Sequence, residues 1–185
     1  MTNTLEINRI TFAIPKERMA PSIRLERLAY SEKTLDLWVK WMNDPAIRQY
    51  MFADLPRERK IIKTWLEIAA NEPSRHYYTI LSGDKNIGFI NLRVDENPKT
   101  TGEIGIVIGE KEYQGKGIGS VALKEVLDVA KDELKLESVR AMIKPFNKKS
   151  IQLFTKNGFI KDADVTIEGE PFLRFIKPLH AAHLH

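Results

Sequence analysis

The stretch EIGIVIGEKEYQGKGIGSVALKEVLDVA, from Glu103 to Ala130, decides the fold because it joins a strand pattern to a helix pattern through glycines. Its apolar beginning is typical of a strand, and apolar residues recur at helical spacing after Gly119. Glycines at a helix start let backbone N–H groups approach a ligand closely, and the helix dipole adds roughly half a positive charge there. The stretch therefore predicts a turn that binds an anion such as a pyrophosphate, with a purely structural turn as the alternative.

Two common nucleotide-binding loops do not fit this stretch. A dinucleotide fingerprint needs G-x-G-x-x-G directly after a strand, and an acidic residue about 20 positions later. Here the glycines follow a G-x-G-x-G spacing, and residues 109–113 separate them from the strand. A Walker A loop needs a closing G-K-[ST], whereas Gly115-Lys116 is followed by another glycine. The sequence therefore disfavours both loop classes.

The flanking patterns complete a mixed α/β layer structure. They predict, in order, a strand, two helices, three strands, a helix, a strand, a helix and two strands. Ser31 is placed to cap the first helix, and Pro56 to begin the second. The third helix is predicted over 117–135, and Gly158 is placed to end the fourth. A strand–helix–strand crossover in the second half follows from this order.

Length and composition are those of an ordinary soluble chain. The 185 residues suffice for one domain, which we expect over 22–179, with an N-terminal arm over 1–21 and a mobile tail over 180–185. No apolar run approaches the roughly 18 residues that cross a bilayer, and the first residues lack a signal-peptide pattern. We therefore expect a cytoplasmic protein with no membrane partner. The chain has no cysteine, which excludes disulfides and thiolate metal sites.

Positive charge is concentrated around the glycine turn. Residues 111–160 hold ten basic and six acidic residues, an excess of +4 that equals the net charge of the whole chain. This excess favours an anionic ligand near the turn, with a solvated basic surface as the alternative.

Three segments together resemble the GNAT superfamily of acetyl-CoA-dependent N-acetyltransferases. Gln114-x-x-Gly117-x-Gly119 resembles the family's Q/R-x-x-G-x-G/A signature, and PFNKKSIQLFTKNGF (145–159) is similar to its N-x-x-[SA]-x-x-[LV]-[YF]-x-[KR]-x-G-F segment. WVKWMNDPAIRQYM (38–51) resembles the W-x-N-D-P stretch of the branch that acetylates ribosomal-protein N-termini. The resemblance implies a single GNAT-like α/β domain, with a central, mostly antiparallel twisted sheet of six to seven strands and helices on both faces.

The resemblance also implies where acetyl-CoA binds. The backbone of Ile106, Val107 and Ile108 is expected to pair with the pantetheine arm as an added strand would. The pyrophosphate is expected on the N–H groups of the loop that comprises Gln114, Gly115, Lys116, Gly117, Ile118, Gly119 and Ser120. Asn147 is expected to contact the cofactor and also suits the N-cap of the last helix. Phe154 is expected to line the same site.

Acid–base groups are predicted less completely. Glu103 lies eleven residues before Gln114, the spacing of a catalytic glutamate in some family members, and is the predicted base, acting through a water. A surface glutamate at a strand end is the alternative. Phe154 stands where many relatives carry a tyrosine, and it cannot donate a proton. Three interpretations stay open: Ser150 donates instead, water protonates the thiolate, or the domain binds acetyl-CoA without efficient turnover.

The acceptor amine is expected to approach from the first-half helices. The candidate contacts there are Trp41, Asn43, Asp44, Tyr50 and Tyr78. An α-amino group, with a pKa of about 7.7–8.0, is partly neutral at physiological pH, whereas a lysine-like amine near 10.4 is not. Weak acid–base equipment therefore favours a peptide N-terminus, with polyamines, amino sugars and aminoglycosides as the alternative. A second copy of the chain is a further candidate partner, as a homodimer.

Two other functions compete with an acetyltransferase. A CoA-binding sensor of the same fold is favoured by the departure at Phe154. Nucleic-acid binding through residues 111–160 is disfavoured because aromatic residues do not interleave with the charges. His180, His183 and His185 lack an acidic partner and are expected to belong to a mobile tail rather than a metal site. The leading prediction is thus an acetyl-CoA-dependent N-acetyltransferase that needs no metal and binds no nucleic acid.

Overall fold

A computed structural model describes residues 22–180 of the chain. The expectations for the arm over 1–21 and for His183 and His185 lie outside the described residues. The elements follow one another as β1 (Arg24–Arg27), α1 (Glu32–Asn43), α2 (Pro45–Arg48), α3 (Arg59–Asn71), β2 (Arg75–Ser82), β3 (Lys85–Val94), β4 (Thr101–Ile108), α4 (Ile118–Asp128), β5 (Ser138–Ile143), α5 (Lys148–Lys156), β6 (Ile160–Ile167) and β7 (Glu170–Pro178). The predicted order is confirmed, with the short α2 as an addition.

The strands form one seven-stranded sheet in the order β1-β2-β3-β4-β5-β7-β6. Every neighbouring pair is antiparallel except β4 and β5, which are parallel. Parallel neighbours need a crossover connection, and α4 supplies it between β4 and β5. The predicted fold class is therefore confirmed: a single α/β domain with a mostly antiparallel sheet.

Helices cover both faces of the sheet, and β3 shows how the two faces separate. Because successive side chains of a strand point to opposite faces, Phe89 packs with α1 and α3, whereas Ile90 packs with α4 and α5. On the first face, Trp38 stacks on Phe89 with ring centroids 3.9 Å apart. We call these the α1 face and the α4 face.

The first helices begin and end at polar side chains. Ser31 Oγ accepts a hydrogen bond from the Thr34 N–H at 3.1 Å, as the predicted N-cap of α1 should. Asp44 then caps α2, accepting from the Ala46 N–H at 2.9 Å. The predicted start of the next helix at Pro56 is wrong, because α3 begins at Arg59. The Arg57 carbonyl accepts from the Asn43 side chain at 3.0 Å, which holds the preceding residues in a loop.

The later helices differ from prediction at one end. The predicted helix over 117–135 is α-helical only to Asp128 and finishes in a π turn over Val129–Glu133, where the Leu134 N–H donates to Val129 O. The end of α5 agrees with the prediction, since Gly158 follows it with a left-handed φ of +83°. Within residues 22–180, none of the helices is both long enough and apolar enough to span a bilayer.

Candidate active site

The site is built around a wedge between β4 and β5. The two strands pair only over Thr101–Glu103 and Ser138–Arg140. Beyond that point β4 continues along β3 to Ile108, while β5 continues along β7 to Ile143. The facing edges of β4 and β5 therefore diverge, and the backbone groups of β4 that point away from β3 have no strand partner after Glu103.

The ladder pattern shows which β4 amides face this wedge. The Asp95 N–H donates to Thr101 O, and the Gly109 N–H donates to Ile87 O, both at 2.9 Å. The backbone N–H and C=O groups of the odd-numbered residues of β4 therefore point towards β3. Backbone direction alternates along a strand, so Ile106 and Ile108 face the wedge. The Val107 backbone faces β3 instead. Of the three predicted pantetheine contacts, two thus present their amides to the wedge.

The glycine turn, residues 114–120, lies at the end of the wedge where β4 finishes. The Gln114 side-chain amide donates to Ile108 O at 2.9 Å, which ties the turn to the strand. Gly115 and Gly117 both adopt left-handed backbone angles, with φ of +74° and +80°, that disfavour side chains. Hydrogen bonding within α4 begins with the Ser120 N–H, which donates to Gly117 O at 3.0 Å. The Gln114 N–H donates to Lys111 O at 3.1 Å, so of the predicted pyrophosphate contacts only the N–H groups of residues 115–119 are available to an anion.

Gly119 has a different purpose from the two turn glycines. A Cβ added there would lie 3.2 Å from Leu153 of α5 and 3.7 Å from Ile106 of β4. The missing side chain lets α4, α5 and β4 meet closely beside the wedge. Ser120 reinforces the contact, because the Asn157 side-chain amide donates to its Oγ at 3.1 Å. Lys116 lies over the Tyr113 ring, with Nζ 5.8 Å from the centroid.

The remaining predicted residues of α5 divide between capping, core and surface. Asn147 caps the helix, accepting from the Ser150 N–H at 3.1 Å. The Ser150 side chain is half-buried in the first turn. Phe154 is 2% exposed and packs edge-on against Phe159, with ring centroids 4.9 Å apart. The position where a tyrosine was expected is thus part of an apolar core.

Glu103, the predicted base, lies where the wedge begins. It belongs to the last paired position of β4 and β5, and its side chain is 20% exposed. Two guanidinium groups flank the carboxylate: Arg140 Nε at 3.4 Å and Arg93 Nη2 at 3.8 Å. A water or an amine that approaches Glu103 must therefore share the carboxylate with two cations.

Asp95 holds the Arg140 side chain in place. Two hydrogen bonds join them, Nη1 to Oδ2 at 2.5 Å and Nη2 to Oδ1 at 2.8 Å. These bonds to the Arg140 guanidinium hold the pKa of Asp95 below its usual value, and the same pairing raises the pKa of Arg140. Because Arg140 is fixed by Asp95, its Nε can reach Glu103 in one defined orientation.

One segment of chain crosses from the end of β4 to the end of β5. This bridging segment comprises residues 44–52. At one end Asp44 faces Lys111, which follows β4, with Oδ2 and Nζ 3.5 Å apart. At the other end Tyr50 packs on Phe146, which follows β5, with ring centroids 5.7 Å apart. Phe52 stacks on Phe172 of β7 at 4.8 Å. The bridging segment therefore spans the diverging ends of the strands.

The predicted acceptor residues are only partly brought together. Asn43, Asp44 and Tyr50 lie on or next to the bridging segment, where Tyr50 is 39% exposed. Trp41 is fully buried on the α1 face, with its ring against Gly109. Tyr78 belongs to the α4 face, beneath the guanidinium of Arg27, 5.4 Å from its ring centroid. Tyr78 thus lies on the opposite face of the sheet from Trp41.

Glu110 joins α1 to the end of β4. Its carboxylate accepts from Lys40 Nζ at 2.7 Å and from Trp41 Nε1 at 3.0 Å, and the residue is 8% exposed. The bond from Lys40, with that from Trp41, holds the Glu110 pKa below its usual range against the opposing effect of burial. These contacts make Glu110 a structural anchor of the loop that leads to the glycine turn.

Sequence reasoning missed the arginines around Glu103 and the aromatic contacts of Phe52. Arg93 lies directly across from Glu103 in the β3–β4 ladder, and opposite charges at such positions are a recognised pairing signal. Finding that signal requires the register of the hairpin. Phe52 and Phe172 are far apart in the chain, and no local pattern links them.

Comparisons with known sequences indicate the family. A family model described as an acetyltransferase (GNAT) domain matches residues 23–160. The chain is 30% identical over 135 residues to an N-acetyltransferase 9-like protein of Caenorhabditis elegans, and the match covers 63% of this chain and 65% of that protein. The matched part therefore spans just under two thirds of that relative's length.

Two solved structures share the fold at low sequence identity. The first is an aminoglycoside acetyltransferase, AAC(6')-Ib, in complex with coenzyme A, with a TM-score of 0.72 and 18% identity over 85% of this chain and 95% of that one. The second is a spermidine N-acetyltransferase from Vibrio cholerae in complex with CoA and spermine, with a TM-score of 0.73, 19% identity and the same two coverages.

The diverging strands, the glycine turn and the sheet order define a GNAT-like domain. Because the family model covers well over half of the residues, the chain belongs to the GNAT family of acetyltransferases. The family and the enzyme class predicted from the sequence are thus confirmed.

Proposed function

We propose that the protein transfers the acetyl group of acetyl-CoA to a primary amine, and that the amine is the α-amino group of a peptide or protein. The amine nitrogen attacks the thioester carbonyl directly, the new C–N bond replaces the C–S bond, and the nitrogen loses one proton. The wedge between β4 and β5, closed by the glycine turn, is the observation that carries this proposal.

The residues present fit acetyl-CoA on two grounds. The Ile106 and Ile108 amides face the wedge, where an extended pantetheine arm can pair with them as an added strand does. Gly115 and Gly117 leave room for backbone N–H groups to approach a pyrophosphate. The thioester of the bound co-substrate supplies the activated acetyl group.

Glu103 is proposed to accept the proton of the amine through a water. Its place at the beginning of the wedge supports this role, and its two arginine neighbours define where the water can sit. The Arg140 and Arg93 guanidinium groups lie 3.4 and 3.8 Å from the carboxylate, so a bound water would approach it from a side that neither cation occupies. The neutral, nucleophilic amine is then available at a defined position.

The thiolate that leaves needs one proton, and Phe154 cannot supply it. Ser150 lies one turn earlier on α5 and is proposed as the donor. Solvent water is the alternative source, because a leaving group comparable to a thiol with a pKa of about 8.5 is only weakly basic near neutral pH. The same weak acid–base equipment favours an α-amino acceptor, which is already partly neutral at pH 7.

The N-D-P stretch that opens the bridging segment supports a peptide acceptor, by its resemblance to the branch that acetylates ribosomal-protein N-termini. The experiment is a thiol-release assay with acetyl-CoA and a panel of amines: peptides with free or blocked N-termini, spermidine and an aminoglycoside. We expect release with the free peptide N-terminus and none with the blocked one. Release with spermidine or the aminoglycoside alone would replace the peptide by a small-molecule acceptor.

A second candidate function is an acetyl-CoA sensor without efficient turnover. The burial of Phe154 against Phe159 favours it, because an apolar core occupies the position of the expected donor. Calorimetric binding of acetyl-CoA without thiol release on any amine of the panel would establish this function in place of the first.

A further inference from the structure

A small cavity lies beside the bridging segment. It measures about 240 Å³ and opens between the end of α1, α2 and the loop that precedes α3. Its lining residues are Met42, Asn43, Pro45, Arg48, Gln49 and Arg57. The cavity is smaller than the roughly 300–1,000 Å³ of a pocket that encloses a whole drug-sized ligand. It therefore fits one functional group of a ligand, not an entire cofactor.

The polar groups of this cavity lack a matching anion. Arg48 and Arg57 both line it, and none of its lining residues is acidic. One nitrogen of Arg48, Nη2, donates to Ala53 O at 2.6 Å. A second nitrogen, Nη1, is buried and has no hydrogen-bond partner among residues 22–180. A buried donor without a partner costs free energy, and more so when it carries charge.

The charges around Arg48 also favour a bound anion. Burial, together with the charge of Arg57, lowers the pKa of Arg48, and Asp54 opposes this only in part. Two like charges at one cavity repel each other in the free protein. An oxyanion placed between them would neutralise the repulsion, and a small rotation of the enclosed Arg48 guanidinium would let Nη1 donate to it at the same time.

We propose that this cavity binds an oxyanion, a carboxylate or a phosphate, carried by the acceptor at a distance from its amine. The proposal rests on the proposed acetyltransferase function for the acceptor, but the anion site itself is defined by Arg48 and Arg57. A guanidinium presents a planar fork of donors that matches both carboxylate and phosphate geometry. The bridging segment thereby selects acceptors that carry a negative group.

The direct test is a calorimetric titration of the full chain with inorganic phosphate and, separately, with acetate. Each titration is repeated with saturating coenzyme A, because CoA would occupy the glycine turn and leave only a second site. We expect phosphate or acetate to bind with CoA present, and R48Q and R57Q each to weaken that binding at least tenfold. The control K60Q removes an exposed charge outside the cavity and should leave binding unchanged.

The kinetic test compares three primary amines of one chain length that end in a carboxylate, a phosphate or a neutral amide. The preferred anionic amine identifies the chemistry, and we expect its KM to rise at least tenfold in R57Q while the KM of the amide stays constant. R57Q changes an exposed side chain and stays informative even where R48Q fails to fold.

The outcomes separate the two proposals. Anion binding that depends on both arginines, without acetylation of any amine, supports the anion site and overturns the acetyltransferase function. Acetylation that ignores the negative group, with no phosphate or acetate binding in the presence of CoA, overturns the anion site alone. Anion binding that is equal in the wild type, R48Q and R57Q also overturns it, and water would then be the partner of Nη1.

Discussion

The two ends of β4 build their parts of the site in different ways. At the C-terminal end, the proposed contacts to acetyl-CoA come from backbone groups: the Ile106 and Ile108 amides and the N–H groups of the glycine turn. At the N-terminal end, side chains from three strands meet around Glu103. A surface made of backbone needs only the right local conformations, whereas a cluster of side chains needs the right neighbours. The two ends should therefore respond to mutation in different measurements.

The largest expected effect is at the backbone end. Gly117→Glu should abolish acetyl-CoA binding, because a side chain is disfavoured at φ +80° and the added carboxylate repels a pyrophosphate. Calorimetric titration with acetyl-CoA measures it. The matched control is Gly169→Glu, which has the same φ of +80° in the β6–β7 turn and should bind acetyl-CoA normally. An unchanged affinity for acetyl-CoA in Gly117→Glu would show that the glycine turn does not bind the pyrophosphate.

The next effect belongs to the side-chain end. Glu103→Gln should lower kcat on the order of 10²-fold, since a positioned base contributes about that much, while acetyl-CoA affinity stays constant. Steady-state kinetics at pH 7 and calorimetry separate the two quantities. The exposed loop residue Glu96 supplies the control, and Glu96→Gln should retain full kcat. A kcat equal to that of the wild type would remove Glu103 from the mechanism.

A third test asks what holds the backbone end in place. Glu110→Gln should lower the free energy of unfolding by about 1.5 kcal/mol at pH 7, because it removes a part-buried, charge-assisted bond from Lys40. The folded Glu110 pKa is lowered, so its contribution is present above the unfolded value of about 4.3 and is lost as pH falls through the folded pKa. Wild type and variant should therefore converge in acid.

Urea unfolding followed by tryptophan fluorescence, at pH 7 and below pH 4, measures this difference. Glu112→Gln is the matched control, since Glu112 pairs with Lys85 at 2.6 Å while 55% exposed, and it should cost far less stability than Glu110→Gln. A loss of equal size at both pH values would contradict the role given to the Glu110 charge.

The smallest expected effect tests the proton donor. Ser150→Ala should lower kcat only about threefold, because solvent can also protonate a thiolate of this basicity. Thr155→Ala, an exposed hydroxyl on the same helix, is the control and should leave kcat unchanged. A kcat ratio of one for Ser150→Ala would leave water as the donor.

The contrast between the two ends also explains what could be predicted from the sequence. The glycine turn and the cap at Asn147 follow from residue types within a few positions of each other, and both take the expected form. The seven-stranded, mostly antiparallel sheet agrees with the family resemblance. No local residue pattern indicates that α4 gives way to a π turn after Asp128, since the apolar stripe of the helix continues without interruption.

Features that depend on distant pairing could not be predicted in this way. The neighbours of Glu103 follow from the register of β3 against β4, which a six-residue connection leaves undetermined in the sequence. Tyr77 packs on the α1 face and Tyr78 on the α4 face, because neighbouring residues in a strand point to opposite faces. Which helices cover each face depends on the whole fold. The aromatic pair of Phe52 and Phe172 joins segments that are separated in the sequence by strands β2 to β6.

The contacts at both ends of the bridging segment have a mechanical consequence. Strand edges that carry free amides tend to pair with each other, and β4 and β5 already do so up to Glu103. The bridging segment contacts Lys111, after β4, through Asp44 and contacts Phe172 of β7 through Phe52. These two contacts oppose the closure of the remaining edges. With the two edges kept apart in this way, the proposed pantetheine arm would not have to separate paired strands before it binds.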